Sequence, residues 1–173
     1  GLEDTIKTLK GRDTVLWFSV GSKAYAPSSP EGDGILVPAL SKLSDLAAES
    51  GLRIALYPHT GDLVQTVADA VRVADKVNRA NVGVTFNLCH WLKVDKGERF
   101  DELLKAALPR LFMVTINGAD TGGENWDTLI QTLDAGSYDV FSFVKTIVDA
   151  GYTGPIGLQG YGIKGDSKEN LRR

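Results

Sequence analysis

The sequence predicts an α/β fold in which five parallel strands form part of a barrel and the helices lie on its outer face. First, apolar runs of strand length alternate with stretches of helical periodicity, which is the pattern of repeated strand–helix units. Second, each predicted strand has one apolar face and one face that is small or polar. Third, the polar residues gather at the C-terminal strand ends, where the active sites of barrels lie.

Five strands are predicted, at residues 14–20, 52–57, 82–87, 111–117 and 155–159. Because side chains alternate between the two faces of a strand, the face toward the helices is predicted to hold Ile54, Leu56, Val84, Phe86, Val114, Ile116, Ile156 and Leu158. The interior face ends in Tyr57, Asn87, Asn117 and Gln159. An open flavodoxin-like sheet, covered by helices on both sides, would more often show apolar residues on both strand faces.

Four helices are predicted between the strands, at residues 35–51, 63–77, 100–108 and 138–151. Gly51, Pro109 and Gly151 stand where the first, third and fourth of these helices are expected to end. In the second helix, the periodicity predicts a buried face of Val64, Val67, Ala68, Val71 and Ala74.

Residues 1–173 are expected to form a single domain, because 43% of them are hydrophobic and no linker interrupts them. A complete (β/α)8 barrel has eight strands and roughly 250 residues. The chain begins at Gly1 in what we interpret as the end of a helix, so we expect the N-terminal units of a parent barrel to be missing. The two strand edges left unpaired would favour self-association. The alternative is a complete small α/β domain.

The composition argues against two classes of partner. A net charge of −3 and scattered basic residues argue against nucleic acid. No apolar run approaches the roughly 20 residues of a membrane-spanning helix. Cys89 is the only cysteine, which excludes an internal disulfide and a CxxC metal site.

The strand ends carry a resemblance to a known family. The segments IALYPHTG, VGVTFNLCHWLKV, LFMVTINGAD and GPIGLQGYG resemble, in order, the last four strand ends of the xylose isomerase-like barrels. That superfamily includes sugar-phosphate isomerases and epimerases and endonuclease IV-type enzymes. The most specific parts of the resemblance are the Asn-x-x-His after the third strand and the terminal GPIGLQGYG. It implies strands 4–8 of a TIM barrel and a carbohydrate substrate.

The resemblance also implies a metal site, which this sequence departs from. Members of the family typically hold Mn2+ or Mg2+ with a glutamate, an aspartate, a histidine and a final glutamate. These positions fall here on Tyr57, on Asn87, on Asn117 or alternatively Thr115, and on Gln159. Hard divalent ions favour anionic oxygen ligands, so no metal ligand is predicted. A neutral polar ring of this kind suits sugar hydroxyls.

His59 and His90 are the candidate catalytic residues, because both follow predicted strand ends and histidine titrates near neutral pH. His90 is the one family residue that stands unchanged, and in the family it usually contacts the sugar. The alternative is that each histidine only caps a loop. Asp120 is predicted to contact the substrate as a base or ligand, or else to organise a turn.

The remaining candidates are Tyr161, which could stack on a sugar, and Lys164, which could bind a phosphate. Gly160, Gly162 and Gly165 form a GxGxxG, but no strand and acidic residue follow it as a dinucleotide site requires. A phosphate loop after the last strand is the other interpretation. Against it, Asp166 and Glu169 have the spacing of a helix-capping pair. Cys89 is predicted to be buried packing rather than a nucleophile.

Three functions are consistent with these residues. The first is an isomerase or epimerase acting on a sugar or sugar phosphate, with the family metal altered or absent and His90 moving the proton. The second is a carbohydrate-binding pseudoenzyme that keeps the pocket without the chemistry. The third, an endonuclease IV-type hydrolase, is disfavoured because it needs several histidine and carboxylate ligands and a basic face.

Overall fold

The computed structural model describes all 173 residues and contains one sheet of five parallel strands in chain order. The strands are β1 (Val15–Phe18), β2 (Arg53–Leu56), β3 (Val82–Asn87), β4 (Leu111–Ile116) and β5 (Ile156–Leu158). All five lie within the predicted segments. Parallel neighbours joined by helices are the repeated unit expected of this fold class, and the prediction is confirmed.

The sheet is curled rather than flat. Tyr57 follows β2 and Gln159 follows β5, and the Gln159 Nε2 donates a hydrogen bond to the Tyr57 Oη over 2.9 Å. In a flat sheet, strands three places apart are separated by about 14 Å. The contact therefore closes the C-terminal end of the sheet into half of a barrel.

The helices are α1 (Leu2–Thr8), α2 (Asp33–Glu49), α3 (Val67–Val77), α4 (Leu88–Asp95), α5 (Phe100–Ala107), α6 (Trp126–Leu129), α7 (Val140–Asp149) and α8 (Ser167–Asn170). Six of these eight helices lie between successive strands, while α1 precedes β1 and α8 follows β5. Two 3-10 turns, Pro30–Gly32 and Leu108–Arg110, precede α2 and follow α5. No helix combines the length and the apolar character that a membrane crossing needs.

The hydrophobic core lies between the helices and the outer face of the sheet. Ile54, Leu56, Val84, Phe86 and Val114 are fully buried there, as the strand alternation predicts. Ile156 and Leu158 differ from the prediction, being 37% and 49% exposed, and they belong to the edge strand β5. The apolar helix face and the sheet face thus bury each other along β2, β3 and β4.

The buried face of α3 also differs from the prediction. Ala68 is exposed and Val71 is only half-buried, whereas the residues in the core are Val67, Ala70, Val73, Ala74 and Val77. The helix begins later than predicted, because Thr66 and Asp69 form a capping box in which the Thr66 Oγ1 accepts from the Asp69 N–H.

A β-bulge near the N-terminal end of β4 places the Phe112 ring against Gly83. The register between β3 and β4 shifts at Val84/Thr85, which leaves Phe112 as the extra residue of β4. A Cβ on Gly83 would lie 2.6 Å from the Phe112 ring, so the glycine makes room for that ring. The Phe112 ring thus occupies space beside the N-terminal part of β3.

Candidate functional site

The C-terminal strand ends surround a central cavity of about 340 Å³. It is lined by Trp17, Ser19, Tyr57, His59, Thr115, Leu158 and Gln159. Two of the predicted strand-end residues, Tyr57 and Gln159, lie in this lining with the predicted His59. The volume is at the lower limit of about 300 to 1,000 Å³ for small-molecule sites, so the cavity has the size for one small ligand.

Tyr57 is held as a neutral phenol at the centre of this lining. Its burial raises its pKa to about 12, and the neighbouring Cys89 acts in the same direction. The hydrogen bond from Gln159 opposes the rise, as does the nearby Asn87 amide, which lies outside hydrogen-bond geometry. Gln159 is oriented from both ends of its amide, since its Oε1 accepts from the Tyr161 N–H while its Nε2 donates to Tyr57. At neutral pH the pair offers uncharged hydrogen-bonding groups.

The interior face of β3 and β4 carries buried polar atoms that have no partner. They are the Thr85 Oγ1, the Asn87 Nδ2 and the Thr115 Oγ1. Asn87 is oriented by the Cys89 thiol, which donates to its Oδ1 over 3.1 Å and so leaves the amide nitrogen as the free donor. A buried polar group without a hydrogen bond costs about 1–3 kcal/mol. This face is therefore suited to a polar ligand or to ordered water.

His90 lies in the first turn of α4 as a neutral ring with a defined tautomer. Its Nδ1 accepts from the Thr60 N–H over 3.1 Å, and the Thr60 hydroxyl lies 2.9 Å away. Burial lowers the pKa of His90 to about 4, and the charge of nearby His59 acts in the same direction. Because the Nδ1 is an acceptor, the proton of the neutral ring is on the Nε2, which makes that nitrogen a donor.

His59 presents the opposite tautomer. Its Nδ1 lies 3.1 Å from the carbonyl oxygen of Thr60, which can only accept, so the Nδ1 carries the proton. The His59 Nε2 then has a free lone pair. The two imidazole rings are 4.3 Å apart between centroids, and Asp62 Oδ2 lies 3.8 Å from the His59 Nδ1. Thr60 thus links the two histidines in complementary states.

Aromatic rings lie in the cavity lining and behind it. Trp17 on β1 meets the Tyr57 ring edge-on at 4.9 Å and is 44% exposed toward the open side. Trp126 at the start of α6 meets His90 edge-on at 5.2 Å. Trp17 and Ser19 were not predicted from the sequence, although Trp17 pairs with the interior residue Ala55 in the β1–β2 register. Strand alternation applied to β1 would have found both.

Asn117 and Gln159 share a second, adjoining cavity of about 280 Å³ between the β4 and β5 ends and α8. Asn117 is buried and donates through its Nδ2 to the carbonyl oxygens of Gly118 and Leu129. The strand ends therefore border two cavities. Tyr57 lies on the central one, Asn117 on the second and Gln159 on both.

Several sequence candidates lie outside both cavity linings. Asn87 and His90 are among them, and His90 adjoins the central cavity through the rings of Tyr57 and His59. Asp120 braces the loop after β4, since its carboxylate accepts from the Ser137 N–H and from the Gln131 Nε2. Tyr161 is 79% exposed, and Lys164 is not part of either cavity lining. Asp166 caps α8 by accepting from two backbone N–H groups, which is the capping role expected of it. Burial raises the pKa of the Cys89 thiol to about 12, which makes it a poor nucleophile.

Comparison with known proteins agrees with this geometry. Residues 6–173 match the family model described as the xylose isomerase-like TIM barrel. The chain is 34% identical over 110 residues to inosose dehydratase 1 of Bacillus cereus. The aligned region covers 61% of this chain and 36% of that protein. The chain spans little more than a third of the length of the curated relatives that it matches.

Solved structures share the fold at lower identity. One is the 3-keto-D-glucoside 4-epimerase YcjR of E. coli, with a TM-score of 0.75 and 18% identity over 99% of this chain and 66% of that one. Another is the IOLI protein with a bound zinc atom, with a TM-score of 0.71 and 20% identity over 92% of this chain and 59% of that one.

Proposed function

Because this chain belongs to the xylose isomerase-like TIM barrel family, we propose that its central cavity binds a small sugar and moves a proton at a carbon beside a carbonyl group. Epimerisation, aldose–ketose isomerisation and dehydration of a hydroxyketone can all begin with removal of such a proton. The relatives named above include a dehydratase and an epimerase. The observation that carries the proposal is the pair of complementary histidines beside unpartnered buried polar atoms.

His59 is the proposed base. Its Nε2 lone pair is free, its ring lines the cavity, and the Thr60 carbonyl fixes its orientation. When it takes the proton, the imidazolium forms 3.8 Å from Asp62, whose carboxylate stabilises the positive charge. His90 was the first candidate for this role from the sequence. Its Nδ1 is occupied by Thr60 and its Nε2 already carries a proton, which favours His59 instead.

His90 is the proposed electrophile. A neutral imidazole that donates through its Nε2 can stabilise the negative charge that develops on the substrate oxygen as the proton leaves. Its low pKa keeps it neutral throughout the physiological range. His59 and His90 can therefore act as base and donor in one step.

The uncharged strand-end groups are proposed to hold the hydroxyls of the sugar. The Asn87 Nδ2 and the Thr115 Oγ1 are buried and unpartnered, and the second N–H of Gln159 Nε2 is uncommitted. Trp17 offers a partly exposed aromatic face against which the C–H groups of a sugar ring can pack.

The residues present do not fit the divalent cation of the family. No cluster of three or more histidine, cysteine, aspartate or glutamate residues is arranged to hold a metal ion. At the positions implied by the resemblance stand a phenol with a pKa of about 12 and three uncharged amides. A hard cation favours anionic oxygens, so no step of the proposed reaction passes through one.

Exchange of the substrate C–H proton with solvent tests this proposal directly. In D2O, the intact protein is expected to incorporate deuterium beside the carbonyl group of at least one ketone from a panel of D-fructose, D-tagatose and an inosose, followed by proton NMR. The His59→Gln variant is expected to slow the exchange by about 100-fold or more, because general base catalysis contributes that much. Sugar binding by the variant should stay within about threefold of wild type.

A non-catalytic carbohydrate-binding protein is the second candidate, and the neutral residues Tyr57, Asn87 and Gln159 favour it. Binding of these sugars with no exchange in the wild-type protein would support it. Exchange that disappears on adding EDTA and returns with Mn2+ would contradict the metal-free mechanism.

A further inference from the structure

The two cavities are continuous in their lining, because Leu158 and Gln159 belong to both. Their volumes, about 340 and 280 Å³, are each near the size of one small ligand. A molecule bound in the central cavity that is longer than one sugar ring would enter the second cavity past Gln159. The Gln159 side chain therefore lies at the boundary between the two adjoining cavities.

Asn117 sets the chemistry of the second cavity. Its Nδ2 donates to the carbonyl oxygens of Gly118 and Leu129 over 2.8 and 2.6 Å, and these two bonds fix the orientation of the amide. The atom left over is the Oδ1, which is buried and has no partner. It can only accept a hydrogen bond, so the group that completes it must be a donor such as a hydroxyl.

Gln131 repeats this arrangement in the same lining. Its Nε2 donates to the Asp120 carboxylate and to the Thr128 carbonyl oxygen over 3.0 and 3.3 Å, which leaves its Oε1 as an acceptor. The one cation in the lining, Arg173, is paired with Asp134 over 3.1 Å. The two amide oxygens would repel the oxygens of a phosphate, whereas they can accept hydrogen bonds from hydroxyl groups.

The lining also contains aliphatic side chains beside the polar residues Thr132, Ser167 and Asn170. Leu133, Ile163 and Leu171 face the same cavity as the two amides. A sugar ring has hydroxyls at its edge and C–H groups on its faces, so it matches a surface with amide acceptors and aliphatic side chains.

We propose that the second cavity is a subsite for an additional uncharged sugar unit, so that the substrate is a glycoside or disaccharide rather than a monosaccharide or a sugar phosphate. This inference rests on the proposed sugar-binding function of the central cavity. Beyond that function, it specifies that the substrate is longer than one sugar unit and uncharged.

The test compares four probes by isothermal titration calorimetry on the intact protein: D-glucose, maltose, trehalose and glucose 6-phosphate. At least one disaccharide is expected to bind about tenfold or more tightly than glucose, since one or two further hydrogen bonds are worth that much. Leu133→Trp, which fills the second cavity from its partly exposed rim, is expected to remove this advantage and to leave glucose binding within twofold. Phe141→Trp is the matched control, because Phe141 is 77% exposed and lines neither cavity.

The outcomes separate the two proposals. Equal affinity for glucose and both disaccharides, or an equal loss of both in Leu133→Trp, would overturn the second subsite and leave the sugar site standing. Tighter binding of glucose 6-phosphate would identify an anion subsite and overturn the inference. Binding of none of the four probes would contradict the proposed function itself.

Discussion

At the scale of single residues, Thr60 decides what the two histidines can do. Its backbone N–H donates to His90 and its carbonyl oxygen accepts from His59, so one residue sets two opposite tautomers. Neither fact is visible in the sequence, where both histidines simply follow strands. The sequence located the catalytic candidates, but their roles depend on hydrogen bonds between segments 30 residues apart.

His90 predicts a specific pH dependence of stability. Its pKa falls from 6.5 in the unfolded chain to about 4 in the folded protein. The unfolded state therefore binds more protons below pH 6.5, and the free energy of unfolding falls as the pH is lowered from 6.5 toward 4. Between pH 7.5 and 5 the loss due to this group is expected to be about 2 kcal/mol.

Urea denaturation of wild type and His90→Asn at pH 7.5 and pH 5 measures this loss of unfolding free energy. The stability difference between pH 7.5 and 5 should be smaller in the variant by that amount, because an asparagine side chain does not titrate. An identical pH dependence in the two proteins would show that His90 is not buried as a neutral ring.

At the scale of elements, the loop after β4 is the part least predictable from sequence. Gly118 pairs with Gln131 through an isolated antiparallel bridge, and a Cβ on Gly118 would lie 1.9 Å from the Thr132 carbonyl oxygen. This close approach holds Leu129 where its carbonyl oxygen can accept from Asn117. The strands and four of the eight helices followed from periodicity alone. This loop depends on backbone contacts that no periodic pattern encodes.

Gly118→Ala is expected to destabilise the protein by about 2 kcal/mol or more, because the loop must move to admit the methyl group. Gly34→Ala is the matched control. Gly34 lies in α2 with open space at its Cβ position, so alanine should stabilise the protein by about 0.5 kcal/mol. Thermal unfolding followed by circular dichroism measures both. Equal melting temperatures for the two variants would contradict the close packing at Gly118.

At the scale of the whole molecule, the curl of the sheet brings β2 and β5 together. The barrel class was predicted from the two unlike faces of the strands, and the parallel order β1 to β5 confirms it. The division of the strand ends between two cavities was not predicted, since alternation assigns a side chain to a face and says nothing about its neighbours around the curve.

The bond between Tyr57 and Gln159 predicts an energetic coupling across the curl. In a double-mutant cycle of Tyr57→Phe and Gln159→Leu, the coupling energy is expected to be about 0.5 to 1.5 kcal/mol, the usual value for one hydrogen bond. Urea denaturation of the four proteins measures it. Additive effects would indicate that the two strand ends are independent.

The unpaired edges of β1 and β5 predict self-association of this 173-residue chain. Multi-angle light scattering should give a mass that rises with concentration. Ile156→Lys, at the partly exposed edge strand, should lower that mass toward the monomer. A monomer at all concentrations in the unmodified chain would contradict this proposal.

The junction between β3 and α4 has a consequence for how specificity can diverge. Asn87 ends the strand and is itself the N-cap of a helix that starts at Leu88, so no loop intervenes before His90. The Asn87 amide and the His90 imidazole therefore lie on one continuous strand–helix segment with a fixed relative position. By contrast, β1 ends at Phe18 and α2 begins at Asp33, and β4 ends at Ile116 and α7 begins at Val140. Relatives with new preferences should differ mainly in these two long connections, and directed evolution is best aimed there.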